Sequence, residues 1–231
     1  MTRAANRCEA LLLDFYGTLV EEDTEVIEGI VRRIAAGSPG GATPAEIGRE
    51  WSRRFAALCA EAHGSRFRTQ RALERESLVE LLASHQSPLD PDELSAELFA
   101  YWRAPRAVAG AAEFLRALRV PVCVVSNIDD ADLSAAVAAQ GWSFANVVTS
   151  EGCRAYKPRA ELFEAALARL GCAPEAALHV GDSLQSDVRG AAALGIPAAW
   201  VNSRGRTLPG DLGAIPRHVV SRVSELAAVI R

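Results

Sequence analysis

A doubly wound, Rossmann-like α/β fold with an inserted all-helical subdomain is the class this sequence predicts, and three observations predict it. Four short apolar runs, Ala10–Leu13, 122–125, 177–180 and Ala198–Val201, have the length and composition of buried parallel strands. Helical patterns at 131–140, Ala160–Leu170 and 187–194 separate the later runs, and strand alternating with helix marks a parallel sheet. Between Leu19 and about Pro105 there is no strand pattern, only helical segments. With 231 residues the chain is long enough for one such core plus a small insert.

The elements follow in order. The first apolar run ends at Asp14, and Phe15-Tyr16-Gly17-Thr18 supplies a glycine turn and a hydroxyl. Within the insert, Thr43-Pro44-Ala45-Glu46 opens a helix with a cap, a proline at the first helical position and a glutamate three residues on. Asp90-Pro91-Asp92-Glu93 opens another in the same way, and Ser38-Pro39-Gly40-Gly41 is a loop between helices. Pro105 and Gly110 mark the return, so residues 1–21 and 106–231 are expected to form the core and 22–105 a helical cap. The second run leads into Ser126-Asn127, and the third into Gly181-Asp182-Ser183 and then Asp187. A last strand at 219–220 and a closing helix over 221–230 complete the chain, which has no internal repeat.

Composition excludes several classes. Apolar residues make up 49% and charged residues 23%, an ordinary globular balance rather than a disordered one. A net charge of −4 leaves no footprint of a nucleic-acid binder. Seven Arg against three Glu between Arg49 and Arg75 make a local charge of +4. That cluster reads first as a solvated helical face and second as an attraction for a small anionic substrate. Cys8, Cys59, Cys123, Cys153 and Cys172 are scattered, with no C-x-x-C pair, so neither a disulfide framework nor a zinc site is expected. Arg3 and Arg7 precede an apolar stretch that Asp14 cuts short of a signal-peptide core, and no run spans a membrane. A cytoplasmic protein with no membrane partner is the expectation.

The chemistry gathers at strand ends, where open α/β sheets bind ligands. Asp14 and Asp182 each end a buried strand, and Asp187 follows at the start of a helix. Carboxylates meeting at one sheet edge repel unless a cation sits among them, and hard oxygen ligands suit Mg²⁺. Each alone reads as an ordinary turn or helix-capping residue. Lys157 is the only lysine among 25 Lys and Arg residues. Where arginine fills every other cationic position, one lysine suggests a need for a compact ammonium. Ser126 and Asn127 offer a hydroxyl and an amide to an anionic group, though Asn127 equally suits a helix cap.

Four motifs in this order, Asp14-Phe15-Tyr16-Gly17-Thr18-Leu19, Ser126, Lys157-Pro158 and Gly181-Asp182-Ser183-Leu184-Gln185-Ser186-Asp187, resemble the haloacid dehalogenase-like hydrolase superfamily. The helical insert resembles the cap of one large branch. The resemblance implies that Asp14 attacks the substrate to form an aspartyl intermediate that water then hydrolyses. It implies that Ser126 binds an oxygen of the transferred group and that Lys157 neutralises Asp14 and the developing charge. Gly17, Thr18 and Asn127 would line the substrate. Asp14, the backbone carbonyl of Tyr16 and Asp182 would hold Mg²⁺, with Asp187 supporting them.

One position departs from the phosphatase pattern. Those enzymes have Asp two residues after the nucleophile, to protonate the leaving oxygen, and here Tyr16 stands there. Asp-x-Tyr-Gly-Thr is similar instead to the 2-haloacid dehalogenases, whereas Gly181-Asp182-Ser183 is similar to the phosphatases. A dehalogenase also needs an arginine for halide; the expected place is Ser52, beside Trp51, with Arg49, Arg53 and Arg54 as neighbours. The expected function is Mg²⁺-dependent hydrolysis of a small phosphorylated metabolite. The alternatives are metal-independent 2-haloacid dehalogenation and a non-catalytic binding or regulatory protein.

Overall fold

The computed structural model describes residues 8–228 and 230. Arg3 and Arg7 lie outside the described residues. Six strands form one sheet: β1 (Ala10–Leu13), β2 (Val122–Ser126), β3 (Asn146–Thr149), β4 (Ala177–Gly181), β5 (Ala198–Val201) and β6 (His218–Val220). All pairings are parallel, in the order β3-β2-β1-β4-β5-β6. The chain winds outward from β1 to β3, returns to β4 on the other side of β1, and winds outward again. The switch point therefore lies between β1 and β4, where the connections leave in opposite directions and open a crevice.

β1 and β4 are buried along their whole length, which is why they read as unbroken apolar runs. Alternate residues of β1 feed opposite faces. Leu11 and Leu13 join a cluster with Phe114, Leu133 and Leu226, while Leu12 joins Leu162, Phe163, Val188 and Ala191. The helices behind those residues are α5 (Ala111–Ala117), α6 (Asp130–Ala139), α7 (Ser150–Cys153), α8 (Ala160–Leu170) and α9 (Gly190–Ala193).

Besides the short helices α5 and α7, which the sequence reading did not include, three elements differ from it. β3 is additional: its apolar content is only Val147-Val148, too short to signal a strand, and its ladder with β2 makes it one. The helix expected at 187–194 begins earlier, as a wide π-type turn over Leu184–Arg189 that continues into α9. Ser183 starts it by accepting the Ser186 amide through its hydroxyl at 3.1 Å, and its carbonyl accepts the Val188 amide at 3.1 Å. The closing helix expected over 221–230 is a short 3₁₀ stretch, Val223–Ala228, pinned by buried Val223 and Leu226; Val229 lies outside the described residues.

The segment after β1 is helical: α1 (Thr24–Gly37), α2 (Pro44–Glu61), α3 (Gln70–Ser84) and α4 (Pro91–Arg103). Thr43 and Glu46 close a capping box at the start of α2, and Asp90 caps α4. The layer shares a core with the sheet, because Ile30, Ile47, Trp51, Leu78 and Leu98 belong to the same apolar cluster as Leu11 and Leu13. A polar clasp fixes it further. The Asp129 carboxylate, buried before α6, accepts the Gln70 and Arg71 amides at 2.7 and 3.1 Å, so a negative charge sits on the N-terminus of α3. Arg71 then reaches fully buried Asp132 through two bonds of 2.6 and 2.5 Å.

The Arg-rich stretch is mostly consumed by ion pairs. Arg54 pairs with Glu50 and Glu80, Arg68 with Glu76, Arg71 with Asp132 and Arg75 with Asp92. Those four arginines form an ion-paired helical face rather than a collector of anions. No described helix is long and apolar enough to cross a membrane, and the five cysteines are all free.

The clasp gives a measurable expectation. Asp129→Ala strands two helix-terminal amides and should cost about 2 kcal/mol in urea unfolding. A loss below a few tenths of a kcal/mol would mean that apolar contact alone docks the helical layer.

Candidate active site

The site is built where β1, β2 and β4 end together. Asp14 continues the β1 ladder, its amide donating to the Val180 carbonyl at 2.9 Å, so its carboxylate is delivered at the switch point. Gly17 then turns the chain at φ 83°, and a Cβ there would lie 2.7 Å from the Asp182 carboxyl carbon. Glycine is thus needed twice, for the left-handed turn and for the close approach of Asp182. The Thr18 hydroxyl, fully buried, donates to Asp14 Oδ2 at 3.1 Å.

Lys157 is the hub. Its Nζ donates to Asp14 Oδ1 at 2.7 Å, Asp187 Oδ1 at 2.7 Å and the Val125 carbonyl at 2.9 Å, which uses all three ammonium protons. Its peptide is gripped by Asn127, which accepts the Lys157 amide at 2.7 Å and donates to the Lys157 carbonyl at 3.2 Å. The Asn127 amide therefore holds the lysine backbone rather than pointing free. Ser126, buried at the end of β2, lies beside it in sequence.

Asp187 is saturated. Besides Lys157, Oδ1 meets His179 Nε2 at 2.9 Å, and Oδ2 accepts the Ser183 amide at 2.9 Å. A Cβ on Gly181 would sit 2.3 Å from the Asp187 carboxyl carbon, so glycine again admits the carboxylate. His179 was not legible as a site residue; its one signal is a histidine inside an otherwise apolar strand. Burial holds its pKa below the ordinary value, so a neutral ring donates its Nε2 proton to Asp187.

The electrostatics follow from burial. Desolvation raises Asp14 to about 6, despite the opposing pull of Lys157. Asp182 is pushed up to about 9, by desolvation first and then by repulsion from Asp14 and Asp187. The Lys157 charge overrides desolvation at Asp187 and holds that carboxyl well below its usual range. Lys157 itself is held above its ordinary value by Asp14 and Asp187, against the effect of its own burial. Asp14, Asp182 and Asp187 each bring an oxygen to within 4.8 Å of the others, a set of hard ligands that could hold a divalent cation. Lys157 offsets part of this negative charge, and the strained member is Asp182, which has no cationic partner among the described residues.

Tyr16 turns away from this chemistry. Its hydroxyl donates to the Trp102 carbonyl at 2.5 Å, and burial pushes the phenol far above its ordinary range. Its ring lines a cavity of about 260 Å³ between the sheet edge and the helical layer, together with Trp51, Ser52, Glu74, Trp102 and Asn127. Arg49, Arg53 and Arg54 do not line it.

The haloacid dehalogenase-like hydrolase profile matches residues 8–195, and the chain belongs to that family. Relatives of two activities match. An (S)-2-haloacid dehalogenase of Pseudomonas putida is 22% identical over 95% of this chain and 96% of its own length. A glyceraldehyde 3-phosphate phosphatase of Methanothermobacter thermautotrophicus is 43% identical over 60 residues, 26% of this chain and 26% of that enzyme. Among solved structures, a dehalogenase with an intermediate complex superposes with a TM-score of 0.77 at 23% identity, covering 98% of this chain and 99% of that one. That likeness shows the fold.

The raised carboxyls predict a pH dependence. The folded pKa of Asp182, about 9, lies above the ordinary carboxyl value of 3.8, so folded protein keeps a proton that unfolded chain gives up. Stability from this group is complete below about pH 4 and is lost as pH rises toward 9. Asp182→Asn should therefore stabilise the metal-free protein at pH 8, on the order of 1 kcal/mol, with the gain shrinking toward pH 4. Thermal unfolding across that range checks it, and an equal effect at both ends would contradict the assigned cause.

Proposed function

We propose that this chain is a Mg²⁺-dependent phosphohydrolase acting on a small phosphate monoester. The observation that carries the reading is Asp182, a partly buried acid facing two further carboxylates, with no cationic partner among the described residues. Such an arrangement suits a divalent cation. In this reading Asp14, Asp182 and the backbone carbonyl of Tyr16 hold Mg²⁺, and Asp187 supports the site through Lys157. The bound ion would supply charge neutralisation to the phosphoryl oxygens.

The chain's own residues do the rest. An Asp14 oxygen attacks phosphorus as the ester P–O bond breaks, and the departing alkoxide takes a proton from water. A second water then attacks phosphorus and releases phosphate and the Asp14 carboxylate. Thr18 and Lys157 orient Asp14 for the attack. Ser126 donates to a phosphoryl oxygen, and the Lys157 ammonium offsets charge on the transferred group. Tyr16, committed to the Trp102 carbonyl, supplies no general acid. Losing that group costs roughly 10²–10⁴-fold in rate for poor leaving groups.

Dehalogenation is the second reading, favoured by Tyr16 and by the similarity over almost the whole length of the Pseudomonas putida enzyme. Against it, no Arg or Lys lines the cavity, while three carboxylates do. A haloacid carboxylate and a departing halide would find no cationic partner there.

Two expectations separate the readings. Phosphate release from small monoesters should require Mg²⁺ and stop with a chelator, and aryl phosphates should turn over on the order of 10²-fold faster than alkyl ones. Halide release from 2-haloacids that survives a chelator would overturn the proposal. Asp14→Asn should abolish turnover, by about 10³-fold or more, while leaving the fold intact by circular dichroism.

A further inference from the structure

The cavity above the sheet edge has a charge pattern that the hydrolytic chemistry does not use. It is lined at the sheet edge by Tyr16, two residues after Asp14, and by Asn127, which grips the Lys157 peptide, and it runs into the helical layer. Its lining carries Asp23, Glu74 and Glu22, the last already paired with Arg204, but no cationic side chain, and its walls include Trp51, Phe55 and Trp102. Glu74 is the decisive member. It sits on α3, is only 6% exposed, and its carboxylate makes no hydrogen bond or ion pair among the described residues. The same helical layer pairs its surface acids with arginine, as Glu50 with Arg54 and Glu76 with Arg68. A buried carboxyl without a partner ionises only when a cation compensates its charge.

The aromatic walls are fixed in place. Trp51 donates its indole N–H to the Ser77 hydroxyl at 2.9 Å, and Trp102 donates to Asp23 at 2.8 Å. Held that way, the rings are set as walls beside buried carboxyls, a combination that suits an ammonium. Burial pushes Glu74 up to about 8 and also raises Asp23, so an entering cation would draw both toward the ionised form. The volume of about 260 Å³ is below the usual range for ligand pockets, about 300–1,000 Å³, and fits a small group.

We infer that this cavity, through Glu74, Asp23 and the rings of Trp51 and Trp102, binds a small ammonium group, and that the substrate is the phosphate monoester of an amino alcohol. The inference rests on the phosphohydrolase reading for the phosphate end and on the cavity alone for the cationic end. The substrate would lie with its phosphate at Asp14 and its ammonium in the helical layer.

The test has two arms. With Mg²⁺, O-phosphoethanolamine should show a kcat/KM at least about tenfold above that of ethyl phosphate. Glu74→Gln should lower that ratio about tenfold, mainly through the KM of the amine ester. In metal-free wild-type protein, choline chloride should saturably change tryptophan fluorescence, and glycerol should not. If Glu74→Gln does not fold, the wild-type ratio and the choline titration decide the matter. Hydrolysis of both esters with a ratio near one, or a preference for glycerol phosphate, would overturn the inference. Hydrolysis of no monoester would sink the phosphohydrolase reading instead. The choline titration would then decide the cavity's cation binding by itself, saturation supporting it and a flat response overturning it.

Discussion

The buried ammonium of Lys157, held between Asp14 and Asp187, is the interaction on which the rest of the site depends. Taking three charges out of water carries a desolvation cost of several kcal/mol per ion, and only close, fully hydrogen-bonded geometry offsets it. Each surrounding residue serves that geometry. Asn127 clamps the lysine peptide, the Val125 carbonyl takes the third ammonium proton, and His179 and the Ser183 amide complete Asp187. The π-type turn after Ser183 has the same purpose: its extra residue brings Asp187 back against Gly181. Removal of a partner leaves a buried charge less fully matched and lowers stability.

The helical layer divides the labour with the sheet. In the proposed reaction the sheet edge presents the groups for attack and charge neutralisation. The layer encloses a cavity against Tyr16, Asn127 and Ile128 and shares the apolar core with the sheet. Asp129 and Asp132 couple the two parts by tying the start of α3 to α6. Glu74 lies one turn along that tied helix, so the docking that holds the layer also sets where the cavity's acid stands.

Tyr16 is where the two activities of the family meet in this chain. Its position favours an enzyme whose leaving group needs no proton, while Asp182 favours one that holds a cation. The structure removes part of the conflict. The phenol donates to the Trp102 carbonyl and joins the sheet edge to α4, with its ring on the cavity wall. Its contribution is structural at the hydroxyl and steric at the ring, which leaves the choice of chemistry to the carboxylates and to the charge of the cavity.

Much of this was legible in the sequence, because its physics is local. The apolar runs of β1, β2, β4 and β5, the capped starts of α2 and α4, and the family motifs through Asp14, Lys157 and Asp182 are all written in short spans of residues. The single lysine could be noticed by counting. What the sequence did not reveal depends on pairings across long separations. β3 is a strand only through its ladder with β2, and Arg54, Arg68, Arg71 and Arg75 lose their apparent attraction for anions once their acidic partners are known. His179 acquires a role only when Asp187 folds back onto it, and Asn127 turns its amide to Lys157 rather than outward. Glu74 reads as an ordinary helical glutamate until packing buries it without a partner. The sequence by itself determined most of the strands and helices and the family motifs, since propensity and motif act over a few residues. Only the tertiary structure decided which charges are compensated, because burial and pairing are properties of the space between elements.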